Sequence, residues 1–309
     1  MDLRSTVHQV TEADHRLRLD RFLHKVRPDL GRHAIDRLLH SGHVQVEGKP
    51  RDAGYYLKRG DTVEIRPAPP MPPSEPHEIL RSAHAIAVAK PPGLATNPVP
   101  SSPESLLSWL EGRCDHPPGL VHRLDRDTSG IVLFSLSPEG HRLLEDAFRF
   151  QAIRKTYLAL VPGRVHPRRG MIDRPLLRAA SGRMQIDARG WHARTEYRRL
   201  HTTDSCNLLE VRPHSGRTHQ IRAHLAAIGH PIAGDPIYGD PHRTLGAPRL
   251  WLHAASLELP QALPARLELP QRIECPLWED LVAHLRTLGV DLSHSAYLQR
   301  ESGRDAIPK

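Results

Sequence analysis

The charged side chains best suited to chemistry are concentrated in one short stretch, His122 to Gly130, directly before an apolar run. Two carboxylates, Asp125 and Asp127, lie there beside two arginines and a histidine. Neighbouring arginines keep a carboxylate ionised, and an ionised aspartate can act as a nucleophile, a general base or an electrostatic stabiliser. The same residues also suit an ion-paired turn, and composition alone does not separate the two interpretations.

A second polar stretch runs from Pro213 to Leu225. Gly216 precedes a predicted amphipathic helix, and Arg217 falls in its first turn, where free backbone N–H groups favour an anion. A guanidinium there can pair with a carboxylate or a phosphate. His219 and His224 are five residues apart, which does not place them on one helical face, so we predict no metal site.

Two weaker signals complete the set of candidate functional residues. Tyr157 alternates with leucines on a predicted strand, and such a tyrosine usually serves packing. Lys90-Pro91-Pro92-Gly93 ends another predicted strand in a sharp turn. The sequence contains no dinucleotide-binding glycine fingerprint, Walker loop or serine-hydrolase elbow, so nucleotide-driven and serine-hydrolase chemistry are unsupported.

From about residue 77 to 289 the sequence predicts strands and helices that do not alternate regularly. These elements must position the candidate residues. Several strands follow one another directly, which indicates an α+β fold with a mixed or antiparallel sheet. The predicted strands are 85–89, 131–135, 156–161, 195–200, 206–211 and 251–259, and the predicted helices are 103–110, 138–150, 218–228 and 276–288.

The N-terminal part has a different character. Residues 16–66 hold twelve Lys and Arg against seven Asp and Glu, and they read as two short helices, around 19–26 and 35–39, followed by a small sheet. We predict an RNA-binding unit in which basic side chains contact phosphates: Arg18, Arg21, Lys25, Arg32 and Arg37. The division into domains is 1–15 as an extension, 16–66 as the RNA-binding domain, 67–77 as a Pro-rich linker, 78–290 as the catalytic domain and 291–309 as a tail.

Composition narrows the class of protein. The chain has 309 residues, 39% of them hydrophobic, and a formal net charge of +8, which suits a polyanionic partner such as nucleic acid. No apolar run approaches the length of a membrane span, and no signal peptide is evident. Three widely separated cysteines offer no disulfide framework, so we expect a reduced, cytoplasmic protein.

Taken in order along the chain, these motifs resemble the RluA-type RNA pseudouridine synthases. The N-terminal unit resembles the alpha-L RNA-binding motif that often precedes that catalytic domain. The motifs that carry the resemblance are Lys90-Pro91-Pro92-Gly93, His122 to Gly130, Lys155-Thr156-Tyr157, Gly216 to Arg222 and Gly234 to Gly239.

The resemblance implies a uridine-to-pseudouridine isomerase that acts on RNA with no cofactor and no metal. Asp125 matches the family's catalytic aspartate, and the target base must leave its stack to reach it. Arg123 then helps to fill the space left by the flipped nucleotide, and Tyr157 lines the base pocket and acts as a general base. Arg217 pairs with Asp125, Ile221 packs the pocket, and His122 belongs to the substrate-binding set.

The resemblance leaves the target open. Large-subunit ribosomal RNA is the expected partner, with transfer RNA as the alternative, and we expect a monomer that contacts no membrane. The chain departs from the usual family pattern at 95–98 and 31–33, which bears on the choice of RNA. A catalytically silent ribosome-assembly factor is the competing interpretation, although Asp125, Tyr157 and Arg217 are all present.

Overall fold

The computed structural model describes residues 5–30, 35, 38–39, 43–66, 75–99 and 104–290. In chain order its strands are β1 Thr6–Gln9, β2 Val44–Val46, β3 Lys49–Pro50, β4 Thr62–Ile65, β5 His77–Arg81, β6 Ala85–Lys90, β7 Gly119–Leu120, β8 Ser129–Ser135, β9 Arg154–Pro162, β10 Arg169–Asp173, β11 Leu176–Arg178, β12 Met184–Ile186, β13 Arg194–Thr202, β14 Cys206–Pro213, β15 Leu252–Glu258 and β16 Arg272–Glu274. The helices are α1 Leu19–Val26, α2 Leu106–Glu111, α3 Pro138–Arg149, α4 Gln220–Ala227, α5 Pro264–Leu267 and α6 Glu279–Thr287.

The N-terminal unit is a four-stranded sheet, in the order β1-β4-β2-β3, with helix α1. The apolar spacing predicted this helix correctly, because Leu19, Phe22 and Leu23 are its buried positions. Strand β1 was not predicted: it pairs antiparallel with β4, so part of the expected 1–15 extension belongs to this sheet. The predicted second helix lies largely outside the described residues, as do most of the Pro-rich linker and the 291–309 tail.

The part of the chain after residue 75 is built on one large sheet in the order β10-β13-β14-β9-β15-β8-β6-β5, with β16 on β15 and β7 on β8. Every recorded pairing is antiparallel except β15 with β8, where His253 lies opposite Ser129 and Ala254 opposite Gly130. This arrangement confirms the predicted α+β class with a mixed, mainly antiparallel sheet. Among the described helices, none is long and apolar enough to cross a membrane.

Apolar side chains on this sheet form two core clusters, one on each side of the β15–β8 junction. One cluster combines β9, β13 and β14 with α4 and α6, and the other combines β6 and β8 with α2 and α3. Ser137 caps α3 by accepting from the Gly140 N–H, with Pro138 in the first turn. Tyr157 packs against both clusters, so it lies where the two halves of the sheet meet.

Gly130 allows the aspartate loop to enter strand β8. Its φ is +123°, and a Cβ at this position would collide with the backbone of Ala254 on the parallel strand. Only glycine adopts such a conformation without strain. The glycine that ends the sequence motif is therefore required by the close approach of the two strands.

We predict that Gly130→Ala lowers the free energy of unfolding by about 2–4 kcal/mol, because it adds both backbone strain and a collision. Urea denaturation of the full chain measures this change. Gly112→Ala is the matched control, because its φ is −75° and no atom lies within 4 Å of the added methyl group. The control should change stability by no more than about 0.5 kcal/mol, and an equal loss in both variants would contradict the assignment.

Candidate active site

A pocket of about 450 Å³ opens beside the β15–β8 junction and brings the predicted site residues together. Asp125, Tyr157 and Arg217 line it, together with the other residues predicted to bind substrate, Arg123, Ile221 and His122. The volume falls within the range of small-molecule sites. The Asp125 side chain retains 22% of its exposure, so its carboxylate can be reached from the pocket.

The turn after β6 holds the aspartate loop from behind. The buried Lys90 Nζ donates to the carbonyls of Pro91, Leu94 and Arg126 at 2.8–2.9 Å, which uses all three N–H bonds of a protonated amine. Burial lowers the pKa of Lys90 to about 7, while the charges of Asp127 and Asp125 raise it. Lys90 thus ties the Lys-Pro-Pro-Gly turn to the loop that carries Asp125.

Thr96 makes a second connection to the same loop. Its hydroxyl donates to the Leu124 carbonyl at 2.9 Å and accepts from the Leu124 N–H at 3.1 Å. Both backbone groups of the residue preceding Asp125 are therefore fixed by one side chain. Thr96 lies in the segment that departs from the usual family pattern, and in this chain that segment supports the site.

Ser129 anchors the other end of the loop. Its hydroxyl lies 3.0 Å from Nδ1 of the buried His253 and accepts from Arg249 at 3.1 Å. Nε2 of His253 faces the Cys275 carbonyl at 3.0 Å, so Nε2 carries the ring proton and Nδ1 accepts from Ser129. Burial lowers the pKa of His253 to about 4, which keeps the ring neutral.

Arg222 is the charged partner of Asp125. Its Nη1 donates to Asp125 Oδ2 at 3.3 Å, while its Nε and Nη2 bind both oxygens of Asp235 at 2.8 Å. The side chains of Arg222 and Asp235 are 2% and 0% exposed. Burial alone would raise the pKa of Asp235, but its bonds to Arg222 and the Arg222 charge outweigh that effect and lower it. One buried guanidinium therefore joins two carboxylates, one structural and one facing the pocket.

This geometry corrects the expectation that Arg217 pairs with Asp125. Arg217 lines the pocket, but its guanidinium lies over the Trp191 ring, 5.1 Å from the ring centre. Arg217 lies in the loop before α4, whereas Arg222 lies within α4, whose residues 220–225 are all buried. The helix therefore carries Arg222 to the floor of the site, and Arg217 remains at its edge.

His219 adds a further polar group to the pocket and contacts Tyr238, which does not line it. His219 adopts a left-handed conformation at the start of α4, which places its Nε2 3.8 Å from Asp125 Oδ2 and its Nδ1 3.2 Å from the Tyr238 hydroxyl. Burial lowers the pKa of His219, although Asp125 raises it. His224 makes a hydrogen bond through each ring nitrogen, to Thr195 and to the Arg174 carbonyl.

Tyr157 forms a wall of the pocket on strand β9. Burial, reinforced by the negative charge of Asp125, raises the pKa of its phenol above the ordinary value of 10. The neutral phenol is therefore the stable form at physiological pH. This environment does not favour Tyr157 as a general base, and it suits packing and hydrogen bonding against a bound base.

The other predicted substrate-binding residues divide by exposure. Arg123 is exposed at the pocket, which suits a role outside the base site. Ile221, in the first turn of α4, is only 6% exposed. His122 accepts the Leu133 N–H at 2.8 Å through Nε2 and stacks on Phe148. Burial lowers the pKa of His122 to about 3, so it acts as a neutral support of the pocket wall.

The predicted RNA-binding residues of the N-terminal unit have unequal surroundings. Arg18 pairs with Asp20, and Arg21 is exposed. Lys25 donates to Asp14 at 2.7 Å, and the Asp14 side chain is only 6% exposed, so Lys25 also stabilises the unit. Arg32 and Arg37 lie outside the described residues.

Sequence reasoning missed Arg222 and Asp235 as functional residues, although both lie in quoted motifs. The available signal was a charged residue within an apolar helical run, Ile221 to Leu225. A charged side chain at such a position is buried and needs a partner of opposite charge. The partner of Arg222 is Asp235, thirteen residues further along the chain in a turn. The hydrophobic periodicity of the helix does not reveal this pairing.

We predict that Asp235→Ala lowers the free energy of unfolding by about 3–5 kcal/mol, because it leaves the buried Arg222 without its principal partner. Asp173→Ala is the matched control: Asp173 also pairs with an arginine, Arg194, but is 50% exposed. Its loss should cost about 0–1 kcal/mol. Chemical denaturation compares the two variants, and equal small losses would show that the Asp235–Arg222 pair does not stabilise the site.

Comparison with known families agrees with this arrangement. Residues 84–227 match the family model described as RNA pseudouridylate synthase, and residues 17–63 match the S4 domain model. The chain is similar to a solved structure titled Human RNA Pseudouridylate Synthase Domain Containing 4, with a TM-score of 0.56 and 24% identity over 69% of this chain and 92% of that one. At that identity the likeness concerns the fold.

Two sequence relatives extend the similarity over most of the chain. An uncharacterized RNA pseudouridine synthase from Chloroflexus aurantiacus is 38% identical over 88% of this chain and 90% of its own length. A protein named ribosomal large subunit pseudouridine synthase C, from Vibrio cholerae, is 32% identical over 85% of this chain and 92% of its own length. With these matches and the S4 domain in place, the chain belongs to the RluA family of RNA pseudouridine synthases, isomerases that convert uridine to pseudouridine.

Proposed function

We propose that this protein isomerises specific uridines of large-subunit ribosomal RNA, with Asp125 as the catalytic carboxylate. One observation carries the proposal. Among the described residues, Asp125 and Glu145 are the carboxylates that line the pocket, and Glu145 is exposed on helix α3 whereas Asp125 meets the buried Arg222. Asp127, the competing carboxylate of the loop, does not line the pocket.

The hydrogen bonding of Asp125 leaves one oxygen for substrate. Arg222 and His219 both face Oδ2, and the described residues supply no recorded hydrogen bond to Oδ1. Attack on either the sugar or the base needs a carboxylate oxygen that is not held by the protein, and Oδ1 meets that need. The geometry thus supports Asp125 as the nucleophile.

The reaction conserves every atom of the uridine. The bond from the sugar C1′ to N1 breaks, the base rotates, and a bond from C1′ to C5 forms. The proton lost from C5 is balanced by a proton gained at N1. Tyr157 and Ile221 provide the walls between which a detached base turns, and both line the pocket beside Asp125.

We propose that the uridine is flipped out of its stack before it enters the pocket. A stacked base cannot reach a carboxylate set in a pocket whose floor is formed by Arg222, so extrusion must precede chemistry. Arg123 is exposed beside the pocket and carries a long cationic side chain. We propose that it occupies the position vacated in the RNA and contacts the adjacent phosphates.

Ribosomal RNA is proposed as the substrate on three grounds. The relatives from Vibrio cholerae and Zymomonas mobilis are named as ribosomal large subunit pseudouridine synthases C and D. The S4 domain places exposed basic residues ahead of the catalytic domain. The net charge of +8 favours a polyanion.

The test is pseudouridine mapping on unmodified RNA. Large-subunit ribosomal RNA and transfer RNA transcripts are incubated with wild type, Asp125→Asn and Asp127→Asn, and new pseudouridines are mapped along each strand. We expect discrete sites in the ribosomal RNA, a loss of rate on the order of 10³-fold or more for Asp125→Asn, and a loss within about tenfold for Asp127→Asn. RNA binding by Asp125→Asn should persist, because the substitution removes a negative charge.

Each other result has a definite meaning. Near-normal turnover by Asp125→Asn overturns its catalytic role, and selective loss in Asp127→Asn transfers that role to Asp127. Modification of transfer RNA alone overturns the proposed substrate but leaves the chemistry intact. RNA binding with no pseudouridine from the wild type in either RNA contradicts the proposed function.

A further inference from the structure

The uridine pocket continues into a second, larger cavity. This cavity, named here the side groove, has a volume of about 1010 Å³ and shares Gln151, Pro213, Ser215 and Arg217 with the pocket. Its other lining residues include Arg154, Arg194 and Arg212 together with Glu196 and Glu258, so that with Arg217 four arginines face two carboxylates. A basic groove that opens directly from a nucleotide pocket suits the strand to which that nucleotide is attached.

Arg217 marks the junction between pocket and groove and is available to a ligand. Within the part of the chain that the structure describes, no carboxylate lies within 4.0 Å of its side chain, whereas Arg154 pairs with Glu258 and Arg194 with Asp173. The Arg217 backbone is fixed, because its N–H donates to Gln220 Oε1 at 3.1 Å. The loop thus presents a cation whose charge is not neutralised within the protein.

Trp191 lies under the Arg217 guanidinium at this junction, although it lines neither cavity itself. Its side chain is 67% exposed, although tryptophan is normally well covered. Its backbone is held by two reciprocal hydrogen bonds with the buried Leu176, each 2.9 Å long. The preceding Gly190 lies against the Leu176 backbone with no room for a Cβ. The fold therefore holds a large ring in solvent at a defined place beside Arg217.

The contact between the two side chains keeps the ring in position. The Arg217 guanidinium lies 5.1 Å from the Trp191 ring centre, a cation–π distance. With two-thirds of the side chain still exposed, the ring keeps open surface for a third planar group. Unpaired RNA bases stack on aromatic rings and on arginine planes, and they do so with little regard to sequence.

We propose that Trp191 and Arg217 form a stacking platform for an unpaired base next to the target uridine, whose strand then enters the side groove. The inference rests on the proposed function in so far as the pocket holds a uridine. It assigns Arg217 to substrate binding in place of the contact with Asp125, and it gives the exposed tryptophan a ligand of defined chemistry. The substrate class follows: the target uridine lies in a single-stranded segment, because its neighbour must also be unstacked.

The test measures binding of a fluorescein-labelled oligouridylate, about twelve nucleotides long, to the full chain by fluorescence anisotropy. Stacking on one aromatic side chain changes affinity by roughly tenfold. We therefore expect about tenfold weaker binding for Trp191→Ala and Trp191→Leu, and binding within about threefold of wild type for Trp191→Phe. The dependence of affinity on salt should be unchanged in Trp191→Ala, because stacking releases no counterions.

Met171→Ala is the control, because Met171 is also an exposed apolar residue of the catalytic domain but lies on strand β10, whereas the Arg217 guanidinium lies over the Trp191 ring. Its affinity should equal that of wild type. Thermal denaturation is measured for each variant, and all four should melt within a few degrees of wild type, since Trp191 is mainly in solvent.

Two results overturn the platform. If Trp191→Ala binds the oligouridylate within twofold of wild type, Trp191 does not contribute to binding. If Trp191→Leu and Trp191→Phe bind with equal affinity, the contact is apolar burial without stacking. Pseudouridine mapping separates this outcome from a failure of the proposed function. Normal isomerisation with no effect of Trp191 overturns only the platform, and Trp191-dependent RNA binding without pseudouridine overturns only the isomerase.

Discussion

The buried guanidinium of Arg222 is the interaction on which the rest of the site depends. A charge that is 2% exposed must be matched, and Asp235, itself fully buried, accepts two hydrogen bonds from it at 2.8 Å. The third guanidinium nitrogen of Arg222, Nη1, then donates to Asp125 at 3.3 Å. The position of Asp125, the proposed catalytic carboxylate, is thus set by a pair whose own formation is part of folding, and the position of α4 follows from the same requirement.

The large sheet positions the loop that carries Asp125 beside the Arg222 guanidinium. Its single recorded parallel contact, β15 with β8, places the aspartate loop at the seam between two apolar clusters. Gly130 permits the approach, Lys90 and Thr96 fix the loop from one side, and Ser129 fixes its end. Each of these contacts is made by a buried group, so the backbone of the loop that carries Asp125 is held rigidly. The open side is the one that faces the pocket and the side groove.

The sequence predicted the helices and strands where periodicity was strong, including α1, α3 and the strands around 85–90 and 206–213, and the six predicted catalytic and substrate-binding residues all line the pocket. It could not predict which arginine meets Asp125, because Arg217 and Arg222 lie in the same motif and only the burial of α4 separates them. Strand β1 was missed because its burial alternates only weakly over four residues. The role of Trp191 depends on a hairpin contact with Leu176 that no local pattern encodes.

The most direct measurement of the central claim is the single-turnover rate of Arg222→Lys at saturating enzyme. Lysine keeps the positive charge but cannot hold Asp235 through two parallel bonds while reaching Asp125. We predict a folded variant whose isomerisation rate falls roughly 100-fold, because the carboxylate loses its fixed position. A folded Arg222→Lys protein with a rate near that of wild type would contradict the claim that this guanidinium positions the reactive aspartate.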